Sequence, residues 1–411
     1  MDRVRAGRVY IARSVLDDPL AAARANRLAG AIDAPVKEVI ADDEVERMQA
    51  PFARALLERR GFEATSFDAR LIFIDRMRWD REDGVSPGYG PTDLRNAHRE
   101  WEESGVICQT AVEIQTVVGC GFDCSYCPYT NALTITCDLE RFVEHLEGIF
   151  QQRPHQQLYK LNNRSDTLCF EPEYGLSALL VDRFAQSANK VLMLYSKSAN
   201  VDHLLELDHR GHTIACFTLS SPSAARLLER AAPPTGARIV AARKCSDAGY
   251  PVRFRFSPIV PLRGWQAELE TMVRTMAAQV RPELITLWTL SMTELDELAR
   301  IVPLDALDPR TLEEAEAARA SMVSAKGAPF PGSLRAEIYE VVADTIAAHS
   351  PQTRVSLCLE SPQVIERVSA RLAIVGQHQV CNCAPRSTPS AVGSAPAVSD
   401  PSARGPVHGS D

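Results

Sequence analysis

Three cysteines fall close together in the run Gly119-Cys120-Gly121-Phe122-Asp123-Cys124-Ser125-Tyr126-Cys127. The spacing C-x3-C-x2-C lets one loop wrap a single inorganic centre and present three thiolates to it. A four-iron cluster takes four ligands, so three cysteines leave one iron open to a small molecule. Zinc is the competing centre, but a closed zinc site wants a fourth protein ligand, and nothing marks His155 as that partner. A disulfide is disfavoured by compartment, and free thiols gathered by chance are rare at this density. The spacing therefore favours Cys120, Cys124 and Cys127 as ligands of an iron–sulfur cluster.

With the aromatic Tyr126 directly before the last cysteine, the motif resembles the signature of the radical S-adenosylmethionine superfamily. The wider chain resembles that superfamily's spore photoproduct lyase-like branch. The likeness begins at Val9-Tyr10-Ile11-Ala12-Arg13 and recurs at Arg164-Ser165-Asp166 and Tyr195-Ser196-Lys197. It continues through Ala248-Gly249-Tyr250-Pro251-Val252, Pro258-Ile259 and Gly264-Trp265, then Leu357-Cys358-Leu359-Glu360 and Cys381-Asn382-Cys383. The resemblance implies a [4Fe-4S] cluster whose open iron is chelated by S-adenosyl-L-methionine. One electron, from a donor such as flavodoxin or ferredoxin, then gives a 5′-deoxyadenosyl radical that abstracts hydrogen from an organic substrate. It places Tyr126 beside the adenine and makes Ser165 and Lys197 cofactor contacts. A hydroxyl can bond ribose or carboxylate, and an ammonium can neutralise a carboxylate. A helix cap and a solvated charge are the plain alternatives for those two. Glu229 and Arg238 read either as part of the site wall or as a surface pair.

One departure bears on the substrate. Spore photoproduct lyases carry a hydrogen-donating cysteine two residues before the serine of the Ser-Asp pair, and Asn163 stands there in this chain. An amide N–H bond is far too strong for that role. No catalytic residue is assigned; Cys169 is the one candidate for a substitute, against a reading as an inert buried thiol. The substrate expected by analogy is a nucleobase, nucleoside or DNA lesion. Radical modification of a specialised metabolite or peptide is the alternative, and a zinc-binding or redox-sensing protein is the non-enzymatic one. Cys381 and Cys383, with Cys358, are weighed as an auxiliary metal site against plain reduced thiols.

The elements that must position these residues alternate strand and helix. Strands are expected at Ala111–Val118, Gln157–Leu161, Lys190–Tyr195, Thr213–Leu219, Val252–Phe256 and Leu284–Leu290, with a further one at Val355–Leu359. Helical crossovers between strands favour a parallel sheet, so the fold class is α/β: a partial (β/α)6 barrel of parallel strands with an N-terminal α/β extension. Residues 1–105 form that extension, with strands at Val9–Ile11, Val36–Ile40 and Leu71–Ile74 and a polar loop at Asp80–Pro91. Residues 106–383 form the barrel and its C-terminal elaboration. Residues 384–411, rich in Ser, Pro, Ala and Gly, form a disordered tail.

Composition sets the outer limits. The chain has 411 residues, 45% hydrophobic and 24% charged, which is ordinary for a globular protein. No apolar run approaches the roughly 20 residues of a membrane span, and Met1 to Arg13 lacks a secretory pattern, so a cytoplasmic protein is expected. The net charge of −8 opposes a broad basic nucleic-acid surface, although six cations between Arg238 and Arg263 leave room for a local groove, and DNA stays a possible partner.

Overall fold

The computed structural model describes residues 4–57, 70–79, 92–95, 97–129, 132–372, 381–384 and 387–389. The loop expected at Asp80–Pro91 and most of the 384–411 tail lie outside the described residues. Before the helix Leu139–Gln152 come β1 (Arg8–Ala12), β2 (Val36–Ile40), β3 (Leu71–Asp75), β4 (Thr92–Arg95), β5 (Ala111–Ile114), β6 (Val117–Val118) and β7 (Ala132–Thr136). After it come β8 (Leu158–Leu161), β9 (Val191–Ser196), β10 (Thr213–Leu219), β11 (Val252–Ile259), β12 (Leu284–Thr289) and β13 (Arg354–Leu357).

The larger sheet has the order β13-β12-β11-β10-β9-β8-β5-β4. Every pair from β5 to β13 is parallel, and β4 closes the edge antiparallel to β5. This is the partial barrel of parallel strands expected from the alternation, with β13 as a seventh parallel strand. β5 and β8 to β12 are buried on both faces; all seven residues of β10, Thr-Ile-Ala-Cys-Phe-Thr-Leu, are buried. The helices cover the outside with apolar stripes. In Leu139–Gln152, Leu139, Phe142, Leu146, Ile149 and Phe150 recur at helical spacing and are buried. Each such side chain contributes about 2 kcal/mol.

The smaller sheet, β2-β1-β3-β7-β6, is parallel except where β6 meets β7. Two of its strands come from residues 117–136, so the N-terminal sheet and the cysteine loop are built together. This corrects the single strand expected over Ala111–Val118. The chain pairs with β8 as far as Ile114, leaves the barrel, and resumes as β6 in the other sheet. Asn162, just past β8, holds the break: its side-chain oxygen accepts from the N–H groups of Thr116 at 2.8 Å and Val117 at 3.1 Å. The apolar run hides this switch because both halves are buried. After β9 the chain makes a single 3₁₀ turn, Asp202–Leu204. Among the described residues no helix is long and apolar enough to cross a membrane.

Candidate active site

The cysteine loop starts where β6 ends. Gly119 has φ +92°, and a Cβ there would sit 2.5 Å from the carbonyl oxygen of Ala132, so only glycine turns the chain this close to β7. Cys120 then donates its N–H to the Tyr129 carbonyl at 2.7 Å, and Cys127 to the Cys124 carbonyl at 2.9 Å, closing the loop on itself. Asp123 adopts φ +47° and directs its carboxylate to Arg230 at 2.9 Å and Arg70 at 3.5 Å. Arg70 precedes β3, is buried, and also donates to the Gly121 carbonyl at 3.2 Å. The N-terminal sheet thereby grips the loop from one side.

The other side is held by the segment after the helix Pro222–Leu228. Ser125 donates both its N–H and its hydroxyl to the Leu228 carbonyl, Ala231 N–H reaches the Phe122 carbonyl, and Cys124 bridges to Glu229. Glu229 is the hub. One carboxylate oxygen accepts from Tyr126 Oη at 3.0 Å, Lys197 Nζ at 2.9 Å and Ser220 Oγ at 2.7 Å, and the other accepts from Arg238. Burial pushes this carboxyl up, but Lys197 and Arg238 outweigh it and hold it at about 2. Glu229 and Arg238 are therefore a buried wall of the site, and the surface-pair reading is set aside.

Cys120 and Cys127 are half-buried and Cys124 is buried. Burial pushes the Cys127 thiol up to about 12 and Cys124 well up, and Cys120 adds to both because the sulfurs lie within electrostatic reach of one another. Left alone, Cys124 and Cys127 hold their protons; a cationic centre would draw them off, which is the behaviour of metal-ligating thiols. Among the described residues no three His, Cys, Asp or Glu side chains converge on a single ion. A cubane cluster makes no such demand, since each thiolate binds a different iron.

Ser165 and Lys197 follow β8 and β9 at the C-terminal edge of the sheet, where barrel sites form. Asp166 ties the two together, accepting from Ser196 Oγ at 2.7 Å and from the Lys197 N–H at 2.6 Å. The Ser165 hydroxyl oxygen is buried and has no partner among the described residues, as a group awaiting a ligand would be. Lys197 spends two donors on Glu229 and the Ser257 carbonyl, so it is neither solvated nor unpaired. Asn163 accepts a hydrogen bond from the buried Lys160. Cys169 is fully buried; its thiol faces the Asp166 carbonyl at 3.5 Å and lies against Cys120, behind the loop.

Cys358 and Cys383 lie near Arg255, which donates to Cys358 Sγ at 3.3 Å, and Cys381 lies beside those two thiols. A guanidinium among these thiols opposes a second metal cation. The organising roles of Glu229, Lys160 and Arg255 were not legible in sequence, because their partners lie on other strands.

Comparison with known proteins follows the same lines. A family model described as spore photoproduct lyase matches residues 100–295, just under half of the chain. The spore photoproduct lyase of Bacillus subtilis (strain 168) is 26% identical over 163 residues, 37% of this chain and 47% of that protein. The one from Clostridium acetobutylicum is 22% identical over 242 residues, 56% of this chain and 71% of that protein. Over residues 100–295 the chain is similar to spore photoproduct lyases. It spans about half the length of the Bacillus and Geobacillus proteins it matches. A solved spore photoproduct lyase variant is 16% identical, with a TM-score of 0.62, covering 88% of this chain and all of the other. A second, with bound AdoMet and dinucleoside spore photoproduct, is 15% identical with a TM-score of 0.60, again covering 88% and 100%. At these identities the shared property is the fold.

Proposed function

We propose that this chain is a cytoplasmic radical S-adenosyl-L-methionine enzyme with one [4Fe-4S] cluster on Cys120, Cys124 and Cys127. The observation that carries the reading is the loop itself: three mutually close thiols at the C-terminal mouth of a partial barrel, clamped by Arg70 on one side and Glu229 on the other. When bound, the cluster and S-adenosylmethionine supply a 5′-deoxyadenosyl radical that takes a hydrogen atom from the substrate.

The chain's own residues prepare the place. Tyr126, its hydroxyl fixed by Glu229, offers an aromatic wall for adenine beside the last cysteine. The unpartnered Ser165 hydroxyl offers a hydrogen bond to ribose or carboxylate. Lys197 keeps a third N–H beyond its bonds to Glu229 and Ser257, suited to the cofactor carboxylate. A low-potential one-electron donor of the flavodoxin or ferredoxin class would serve the cluster. Eleven free cysteines suit a reducing compartment.

The substrate class by analogy is a nucleobase, nucleoside or DNA lesion. A second reading, radical modification of a metabolite or peptide, is favoured by one observation. Asn163 is engaged with Lys160 and offers no weak X–H bond, so hydrogen return differs from that of a dimer-repairing lyase. Cys169, sealed behind Cys120, suits packing better than substrate contact.

The test is anaerobic. The full chain is reconstituted with iron and sulfide, reduced with dithionite, given S-adenosylmethionine and assayed for 5′-deoxyadenosine. Formation that disappears in the Cys120→Ala, Cys124→Ala, Cys127→Ala variant is expected. Zinc in place of an iron chromophore would sink the proposal. Salt-dependent binding of oligonucleotides would separate a DNA substrate from a small one.

A further inference from the structure

Eight Lys and Arg side chains are buried among the described residues, and six of them have their charge answered. Arg24 meets Glu140, Arg70 meets Asp123, Arg238 meets Glu229, Arg253 meets Glu283 and Arg335 meets Glu360. Lys190 is capped by the carbonyl oxygens of Arg153, Pro154 and Gln156. The other two, Lys160 and Arg255, meet no carboxylate within 4.0 Å among the described residues.

Both unanswered cations converge on one ring. Lys160 Nζ lies 4.8 Å from the centroid of Tyr195, and the Arg255 guanidinium carbon lies 5.2 Å from it on its own approach. Arg255 also lies 5.2 Å from the centroid of Trp288 and donates to Tyr195 Oη at 2.8 Å and Cys358 Sγ at 3.3 Å. Its Nε is buried with no partner among the described residues. Lys160 is left with the neutral amide of Asn163. Tyr195 and Trp288 are the sole half-buried residues of β9 and β12, both toward the C-terminal ends that carry Lys197 and the site mouth. Glu113 stands opposite Lys160 in register on β5 and is buried, but it lies beyond ion-pair distance. Aromatic faces soften the burial of a cation, but two desolvated charges with no carboxylate within 4.0 Å among the described residues remain costly.

We propose that Lys160 and Arg255 form an anion-binding subsite inside the barrel that holds a phosphate or carboxylate of the substrate, with Tyr195 and Trp288 flanking its ring. The proposal rests on the radical-enzyme reading for the word substrate. The site's chemistry stands on two buried cations that meet at one ring with no carboxylate within 4.0 Å among the described residues, and Asn163 acquires a role in it as the neutral acceptor that orients Lys160. A substrate with an anionic group on a flat ring suits this pair of cations and rings better than a neutral nucleoside.

Thermal denaturation of the full-length chain tests it without turnover. Thymidine 5′-phosphate serves as the phosphate probe, benzoate as the carboxylate probe and thymidine as the neutral control. At saturating concentration at least one anion should raise Tm by about 3 °C, thymidine should not, and Arg255→Met should abolish the rise. If Arg255→Met does not fold, Lys160→Met carries the same comparison. A rise with the phosphate alone assigns a nucleotide-type ligand; a rise with benzoate alone assigns a carboxylated one; both support the subsite. No rise with either anion, or an equal rise in the variant, overturns it. Formation of 5′-deoxyadenosine by the wild-type enzyme is scored separately, so failure of the subsite and failure of the iron–sulfur reading leave different records.

Discussion

At the scale of single residues, Glu229 organises the most. Its carboxylate touches Tyr126, Lys197, Ser220 and Arg238 together, and its charge is what orders them. Its folded-state value of about 2 lies below the ordinary 4.5. The stabilisation it contributes is therefore complete above pH 4.5 and is lost as pH falls through about 2. The gap corresponds to roughly 3 kcal/mol. Glu229→Gln should accordingly be about 3 kcal/mol less stable at neutral pH, and its deficit against wild type should shrink below about pH 4.5. Denaturant titrations at a series of pH values would show this; a deficit constant down to about pH 3 would contradict it.

At the scale of elements, the cysteine loop is suspended between two sheets. From the N-terminal sheet's side the loop is held by Arg70, a buried cation whose removal leaves Asp123, among the described residues, with the half-exposed Arg230. Breaking a buried pair costs about 3–5 kcal/mol, whereas an exposed partner is worth under about 1 kcal/mol. Arg70→Ala should lower both Tm and the iron bound per chain after reconstitution, while Arg230→Ala should change both little. Equal effects from the two variants would mean that the loop is held from the Glu229 side alone.

At the scale of the whole molecule, residues 381–384 and 387–389 bring the chain back onto the barrel. Asn382 donates its side-chain amide to the Phe254 carbonyl at 2.9 Å and its N–H to Thr286 Oγ1 at 3.3 Å, and Arg253 donates to Ser387 Oγ at 2.9 Å. These bonds span β11 and β12. A chain truncated after residue 380 loses them and should unfold about 3 kcal/mol more easily, at about 1 kcal/mol per bond. Chemical denaturation compares the two lengths directly, and coincident curves would show that the barrel is complete without the segment.

The amino-acid sequence alone determined the cysteine motif, the strand–helix beat and hence the parallel sheet, because these are local: thiol spacing along one loop, and apolar periodicity within one element. The placement of Ser165 and Lys197 after β8 and β9 followed from the same beat. Only the tertiary structure decided that Ala111–Val118 divides between two sheets, since the side chain that holds the break, Asn162, arrives from the turn after β8. The same holds for Glu229 as the hub and for Lys160 and Arg255 meeting at Tyr195. Charge compensation is a property of neighbours across strands, and which neighbours those are depends on sheet order and register, neither of which is written in any single stretch of chain.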